Sequence, residues 1–203
     1  MSKKSIIVFE GIEGAGKTHH INKVANYLKK NKRKFVKIRE PGGSINAEKI
    51  RKLILNNKST FNKYTDLLLY LSARSENIEL IKQNIGKKII LIDRFSDSTV
   101  AYQHYGMGIN FKFIKNINDF LLKGINVDYT FLSTVSEKNM KNRLMKRKNL
   151  NRYDKFNFSF YNKVQKGYLK ILKKNPKKYI RINSNLDINL NESIILNKIK
   201  DLI

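Results

Sequence analysis

Ile6-Ile7-Val8-Phe9-Glu10-Gly11-Ile12-Glu13-Gly14-Ala15-Gly16-Lys17-Thr18 joins an apolar run to a glycine-rich turn that ends on a lysine and a hydroxyl. The spacing Gly11-x4-Gly16-Lys17-Thr18 meets the P-loop pattern without a mismatch. It predicts a buried strand over Ile6–Phe9, a loop whose glycines let successive backbone N–H groups converge on one anion, and a helix starting near Lys17. Gly11, Ile12, Glu13, Gly14, Ala15, Gly16, Lys17 and Thr18 would then surround the phosphates of a nucleotide. Lys17 would reach the β- and γ-phosphates, and the Thr18 hydroxyl would sit on Mg²⁺.

Working outward, a chain of 203 residues with a hydrophobic share of 41% suffices for one α/β domain with a full core, taken here as residues 1–203. The absence of cysteine excludes disulfides, thiolate metal sites and a cysteine nucleophile. The first apolar stretch is short and leads straight into the glycine-rich loop, which does not read as a signal peptide. No apolar segment approaches bilayer length. A cytoplasmic protein without a membrane partner is the expectation. The formal net charge of +26 admits two readings, a nucleic-acid surface or a compositional bias. Lys, Asn and Ile are used throughout and the basic residues are spread rather than concentrated among stacking aromatics. No specific nucleic-acid partner is therefore expected, although such a field would attract anionic nucleotides.

Periodicity places a helix over Lys17–Lys30, a strand over Phe35–Arg39 stopped by Pro41-Gly42-Gly43, and helices over Ala47–Leu55 and Lys63–Ile85. A buried strand, Lys88–Ile92, follows and delivers Asp93 and Arg94 at its end. Then come a helix near Ser98–Gln103, a turn at Gly106–Gly108, a helix over Phe111–Lys123 and a strand over Tyr129–Leu132. Ser136 caps a further helix whose far end carries the basic segment Arg143–Arg152. The helix Ser159–Lys173, the strand Tyr179–Ile182 and the helix Asn191–Leu202 complete the chain. Strands alternating with helices predict a five-stranded parallel sheet covered on both faces.

Ligands of open α/β sheets collect outside the carboxyl ends of the strands, where the unusual residues stand. These are Glu10 and the loop with Glu13, then Arg39-Glu40-Pro41-Gly42-Gly43, then Asp93-Arg94. Asp93 is a candidate for holding Mg²⁺ through water; its alternative is a helix cap or an ion pair to Arg94. Arg51, Arg74 and Arg94 could converge on a second phosphate group, or lie on a solvated surface.

FEGIEGAGKT, REPGG at 39–43, LLYLSAR at 68–74, DRFSDSTVAYQ at 93–103 and NRYD at 151–154 together resemble the thymidylate kinase family, in the family's order and over nearly the whole chain. The resemblance implies a P-loop NTPase fold with a mobile LID at about 143–156. It implies transfer of the ATP γ-phosphoryl group to dTMP, giving dTDP and ADP, with Mg²⁺ as cofactor and a homodimer as the assembly. By position, Glu13 would approach the sugar 3′-hydroxyl and Arg51 and Arg94 would hold the dTMP phosphate. Arg74 would hydrogen-bond the thymine, with Tyr70 in the place of the stacking aromatic. Glu40, Ser98, Thr99, Tyr102 and Gln103 would complete the acceptor pocket, Tyr102 disfavouring a ribose. The catalytic set is Lys17, Glu13, Arg94 and a LID arginine. Some family members carry that arginine in the P-loop, where this chain has Gly14 and Ala15, so the cation must come from the LID. Arg147 aligns best, and Arg143 and Arg152 are the alternatives.

Departures from the family pattern fall at His19-His20, at Phe95 in place of a tyrosine, and at Asn151 and Asp154, where an acidic residue and Glu are usual; the last leaves the ion pairing of the LID open. The alternatives in function are a kinase of another nucleoside monophosphate and a nucleic-acid-binding P-loop ATPase. Diffuse basicity predicts that any DNA or RNA association collapses as salt rises, whereas the ATPase reading requires nucleic-acid stimulation that persists at physiological salt; an ATPase titration at two salt concentrations separates them.

Overall fold

The computed structural model describes residues 5–202. Five strands, β1 (Ile6–Glu10), β2 (Phe35–Arg39), β3 (Ile89–Asp93), β4 (Tyr129–Thr134) and β5 (Tyr179–Asn183), form one sheet in the order β2-β3-β1-β4-β5. All four pairings are parallel. Parallel strands need crossovers, and helices α1 (Lys17–Lys30), α2 (Ile45–Leu55), α3 (Lys63–Asn84), α5 (Phe111–Leu121), α6 (Glu137–Met145), α7 (Phe158–Lys174) and α8 (Ile188–Leu202) supply or extend them, with a short α4 (Ser96–Thr99) after β3.

Strand β1 shows why both faces are covered. Its residues are buried on both sides, Ile7 and Phe9 packing with Ile21, Val24 and Leu28 of α1 and Ile195 and Ile199 of α8. Ile6 and Val8 face the other way, into Ile78 and Ile81 of α3. Such a strand has no polar face, so its sequence reads as a continuous apolar run. The register then sets the site: Phe9 lies opposite Asp93, and Arg39 opposite Asp93 from the other side. Glu10, Glu40 and Arg94 therefore leave the sheet at one edge.

Several boundaries differ from the sequence expectation. Helix α2 begins at Ile45 because Ser44 caps it, its side chain accepting from the Ala47 N–H, and α8 begins at Ile188 behind an Asp187 turn. The helix expected near Ser98–Gln103 is α4 running into a π-helical stretch, Val100–Gly106. Two single turns of 3₁₀ helix, Arg152–Lys155 and Pro176–Lys178, carry too little periodicity to be read from sequence. Among the described residues no helix is long and apolar enough to cross a membrane.

The π-helical stretch packs against α7 through two glycines. A Cβ on Gly106 would stand 2.7 Å from the Phe160 ring, and one on Gly167 2.5 Å from the Tyr105 ring. Gly167→Ala would force these helices apart and should cost about 1–3 kcal/mol of stability, the usual scale of overpacking, read as a lowered Tm in thermal unfolding.

Candidate active site

The P-loop depends on backbone shapes that only glycine adopts without strain. Gly11, Gly14 and Gly16 have φ of 139, 70 and 84°, and a Cβ on Gly11 would lie 2.3 Å from the Ser133 carbonyl oxygen. Lys17 curls over this loop, its Nζ donating to the carbonyls of Gly11 at 2.7 Å and Ile12 at 2.9 Å. Burial and the neighbouring Arg94 push the Lys17 ammonium down to about 8. Thr18 Oγ1 donates to Asp93 Oδ2 at 3.4 Å. That contact joins the loop to β3 and brings a hydroxyl and a carboxylate together.

Arg94 stands at the centre. Its backbone takes the left-handed conformation, φ 68°, which turns the side chain back over the loop. One guanidinium nitrogen, Nη2, donates to Glu13 Oε1 at 2.8 Å, and the plane lies 5.1 Å over the Tyr102 ring. Tyr102 also donates its hydroxyl to Glu13. Burial alone would raise the Glu13 carboxyl, but Arg94, Lys17 and this bond hold it below the ordinary value.

The turn after β3 is held from beneath by Glu10. This fully buried carboxyl group accepts from the Phe95 N–H at 2.7 Å, the Ser98 N–H at 3.2 Å, Ser98 Oγ at 2.6 Å and the Tyr168 hydroxyl at 2.8 Å. Burial, reinforced by Asp97, raises the Glu10 carboxyl to about 7.

On the opposite wall, the turn after β2 positions Glu40 and Arg51. Glu48 accepts from Arg39 and from the Gly43 N–H, Asn77 donates to the Gly42 carbonyl at 2.7 Å, and Arg51 donates to the Pro41 carbonyl at 2.5 Å. The Glu40–Pro41 bond is cis. Arg74, only 1% exposed, donates through Nε and Nη2 to Glu40 Oε2 at 2.9 and 2.7 Å, and through Nη1 to Asn118 at 2.7 Å. Its guanidinium carbon lies 5.4 Å from the centroid of the Phe95 ring. Arg74 is thus ion-paired within the wall, and it lines the same cavity as Arg51 and Arg94.

One cavity of about 570 Å³ is lined by Glu13, Lys17, Thr18, Glu40, Arg51, Tyr70, Arg74, Asp93, Arg94, Ser98, Thr99, Tyr102, Gln103 and Arg147 among others. Three of its buried polar atoms have no hydrogen-bond partner, Glu40 Oε1, Thr99 Oγ1 and Gln103 Nε2. Buried polar atoms left unpaired are costly, and these three belong to residues that line the cavity.

The α6–α7 connection covers this cavity and separates the three arginines of the basic segment. Arg143 donates to the carbonyls of Gly14 at 2.8 Å and Ser184 at 2.6 Å, and Arg152 donates to the Ile54 carbonyl at 3.0 Å and pairs with Asp66. Only Arg147 lines the cavity among the three, its side chain 41% exposed and its Nη1 2.5 Å from Asp154 Oδ1. Asp154 also accepts from the Asn151 N–H, so Asn151 and Asp154 form a capping box.

Comparison with known proteins agrees with this arrangement. Residues 9–195 match the family model for thymidylate kinase. A thymidylate kinase of Thermosipho africanus is 41% identical over 169 residues, covering 82% of this chain and 84% of that one. Another, from Mycoplasma capricolum subsp. capricolum, is 38% identical over 204 residues, 96% of each chain. The crystal structure of thymidylate kinase from Ehrlichia chaffeensis superposes with a TM-score of 0.78 at 31% identity, over 98% of this chain and 99% of that one. The chain belongs to the thymidylate kinase family. As a member it has the P-loop NTPase fold and is a transferase that phosphorylates dTMP to dTDP with ATP as co-substrate.

Several residues that act on others leave little mark in the sequence. Asn118 and Asp66 carried no signal, being single polar residues within helices. Glu10 did carry one, as an acid ending an otherwise apolar strand. His19 pairs with Glu192 at 2.7 Å and His20 is buried, so the two histidines tie α1 to its surroundings.

The raised Glu10 carboxyl has a consequence for stability. The unfolded chain releases this proton near pH 4.5 and the folded chain near 7, so the folded state holds more protons between those values and loses stability as pH rises through the window. In Glu10→Gln the loss is absent: thermal melts from pH 5 to 8 should show wild-type Tm falling relative to the variant, and parallel curves would count against it.

Proposed function

We propose that phosphoryl transfer in this chain runs inside a single kinase domain, residues 1–203, whose LID at about 143–156 brings Arg147 over the reacting phosphates. What supports this most is that Lys17, Arg51, Arg94 and Arg147 line one cavity. Two arginines face the acceptor side, the P-loop lysine the donor side, and Arg147 the space between.

In this reading Gly11–Thr18 hold the ATP phosphates, and Lys17 exchanges its two loop carbonyls for them. The dTMP phosphate rests on Arg51 and Arg94. Glu13, kept ionised by Arg94, accepts from the sugar 3′-hydroxyl, and Tyr102 fills the space a 2′-hydroxyl would need. Thymine lies against Tyr70 above the Arg74–Glu40 pair, with Ser98, Thr99 and Gln103 closing the pocket. Hydroxyl and carboxylate are the ligand types of Mg²⁺, which keeps several waters and takes its other oxygens from substrate phosphates. Thr18 and, through water, Asp93 would hold it, and it would neutralise charge on the transferring group. The described residues contain no group of three acidic, histidine or cysteine side chains that would hold a metal alone.

No strong general base is needed. A phosphate monoester has its second pKa at about 6, so at neutral pH the dTMP oxygen is already an anionic nucleophile. The chain supplies in-line alignment and positive charge that meets the transition state, and closure over the cavity keeps water from accepting the phosphoryl group. Exposed apolar residues on α3 and α5, Leu68 at 51% and Phe120 at 80%, support a homodimer built on those helices. The expected location is the cytoplasm.

Arg147→Ala should lower kcat by a factor on the order of 10³ with ATP binding retained, the scale for an arginine supplied to a P-loop reaction. A coupled assay of ADP formation over a panel of nucleoside monophosphates checks both substrate and residue. Turnover of AMP or GMP without dTMP would sink the acceptor reading, and full activity in the variant would sink the arginine.

A further inference from the structure

The LID turn is attached to the acceptor side of the molecule at a point that the phosphoryl-transfer chemistry does not use. Asp66, in the first turns of α3, is 2% exposed and spends both carboxylate oxygens on that turn: Oδ1 accepts from Arg152 Nη2 and Oδ2 from the Tyr153 hydroxyl. The attachment is extended on either side. Arg152 Nε donates to the Ile54 carbonyl at the end of α2 at 3.0 Å, and Asn57 Nδ2 donates to the Leu150 carbonyl at 2.9 Å. The Tyr153 ring meets the Tyr70 ring edge-on at 5.7 Å, one turn along α3 from Asp66.

From that fastening a short rigid path leads to the cavity. Tyr153 and Asp154 are neighbours in one 3₁₀ turn, closed by the capping box with Asn151, and Asp154 carries Arg147. Breaking the grip on Arg152 and Tyr153 releases the turn that aims Arg147. We propose that Asp66 is a positioning residue that fastens the LID turn to α3 and so sets Arg147 over the transferring phosphoryl group; the proposal rests on the role given to Arg147 above. Helix α3 also carries Tyr70 and Arg74, both lining the cavity. The same helix that frames the acceptor therefore fixes the cover over the donor.

The substitution Asp66→Asn keeps the shape of the side chain and replaces one acceptor oxygen by an N–H₂ that the guanidinium cannot donate to. Asp66→Glu retains the charge, and Tyr153→Phe removes one arm while leaving the Arg152–Asp66 pair in place. Displacing a catalytic group by about 1 Å can cost on the order of 10²-fold, so Asp66→Asn should lower kcat about 10- to 100-fold, with KM for ATP and dTMP changing less than about threefold. With the cover loosened, water becomes an acceptor, ATP giving ADP and inorganic phosphate, so the ADP formed should exceed the dTDP formed. Tyr153→Phe should fall between wild type and Asp66→Asn, and Asp66→Glu should recover part of both kcat and the product ratio. Hydrogen–deuterium exchange should rise in the peptide covering residues 147–156.

Wild-type kcat, a one-to-one product ratio and unchanged exchange in both Asp66→Asn and Tyr153→Phe would overturn the proposal. So would a lowered Tm accompanied by unchanged kcat per folded molecule, since that is the mark of a purely structural pair. Full activity in Arg147→Ala would instead overturn the assignment of Arg147, and with it the route from Asp66 to the reaction. The exchange measurement reads the fastening by itself, so the two failures are told apart.

Discussion

The carboxyl group of Glu10 is the point from which the rest of the site hangs. It ends the central strand, is fully buried, and accepts hydrogen bonds from the turn that follows β3 and from Tyr168 of α7. Through the Phe95 and Ser98 N–H groups it fixes the turn that leaves Arg94 in a left-handed backbone, and Tyr168 lies within 3.5 Å of the Arg94 guanidinium. A parallel sheet makes this possible, because it brings the carboxyl ends of β1, β2 and β3, and with them Glu10, Glu40 and Arg94, to one edge. The local cost is a buried carboxyl raised toward neutrality, an instance of functional positioning set against stability.

Charge is distributed unevenly in a way that the net value conceals. Basic residues are abundant and mostly solvated, whereas the acids are few, and Glu10, Glu13, Glu40, Asp66, Asp93 and Asp154 all stand at the cavity or at the turns that frame it. In a chain of +26 an acid is the scarce resource, and all of these but Asp93, which accepts from Thr18, orient a cation or a turn. Glu13 aims Arg94, Glu40 aims Arg74, Asp154 aims Arg147 and Asp66 holds Arg152. Exposed pairs such as Lys115–Asp119 and Lys141–Glu137 add little, because water already solvates both partners.

The three arginines of the basic segment show where sequence reasoning stops. Arg143, Arg147 and Arg152 lie within ten residues and no periodicity separates them, since the segment leaves α6 and enters a single 3₁₀ turn. Only the tertiary contacts sort them: one on the P-loop and the β5 end, one in the cavity, one on α2 and α3. The ion pairing that the Asn151 and Asp154 departures left open is likewise decided in three dimensions, where Asp154 bonds Arg147 and the Asn151 backbone together.

The amino-acid sequence by itself determined the parallel α/β class, the P-loop and the acceptor-side blocks, because each is local: strand burial on both faces, glycine backbone freedom and fixed residue spacings are written in consecutive positions. It also placed the candidate residues, since the ends of parallel strands must meet at one edge. What only the tertiary structure decided is how those residues are held. Arg74 turned out to be pinned by Glu40 from the β2 end and Asn118 from α5, the Glu10 knot draws on Tyr168 far along the chain, and Asp66 reaches a turn that lies beyond α6. Such contacts join residues distant in sequence, and nothing in a one-dimensional pattern records which pair will share a buried hydrogen bond.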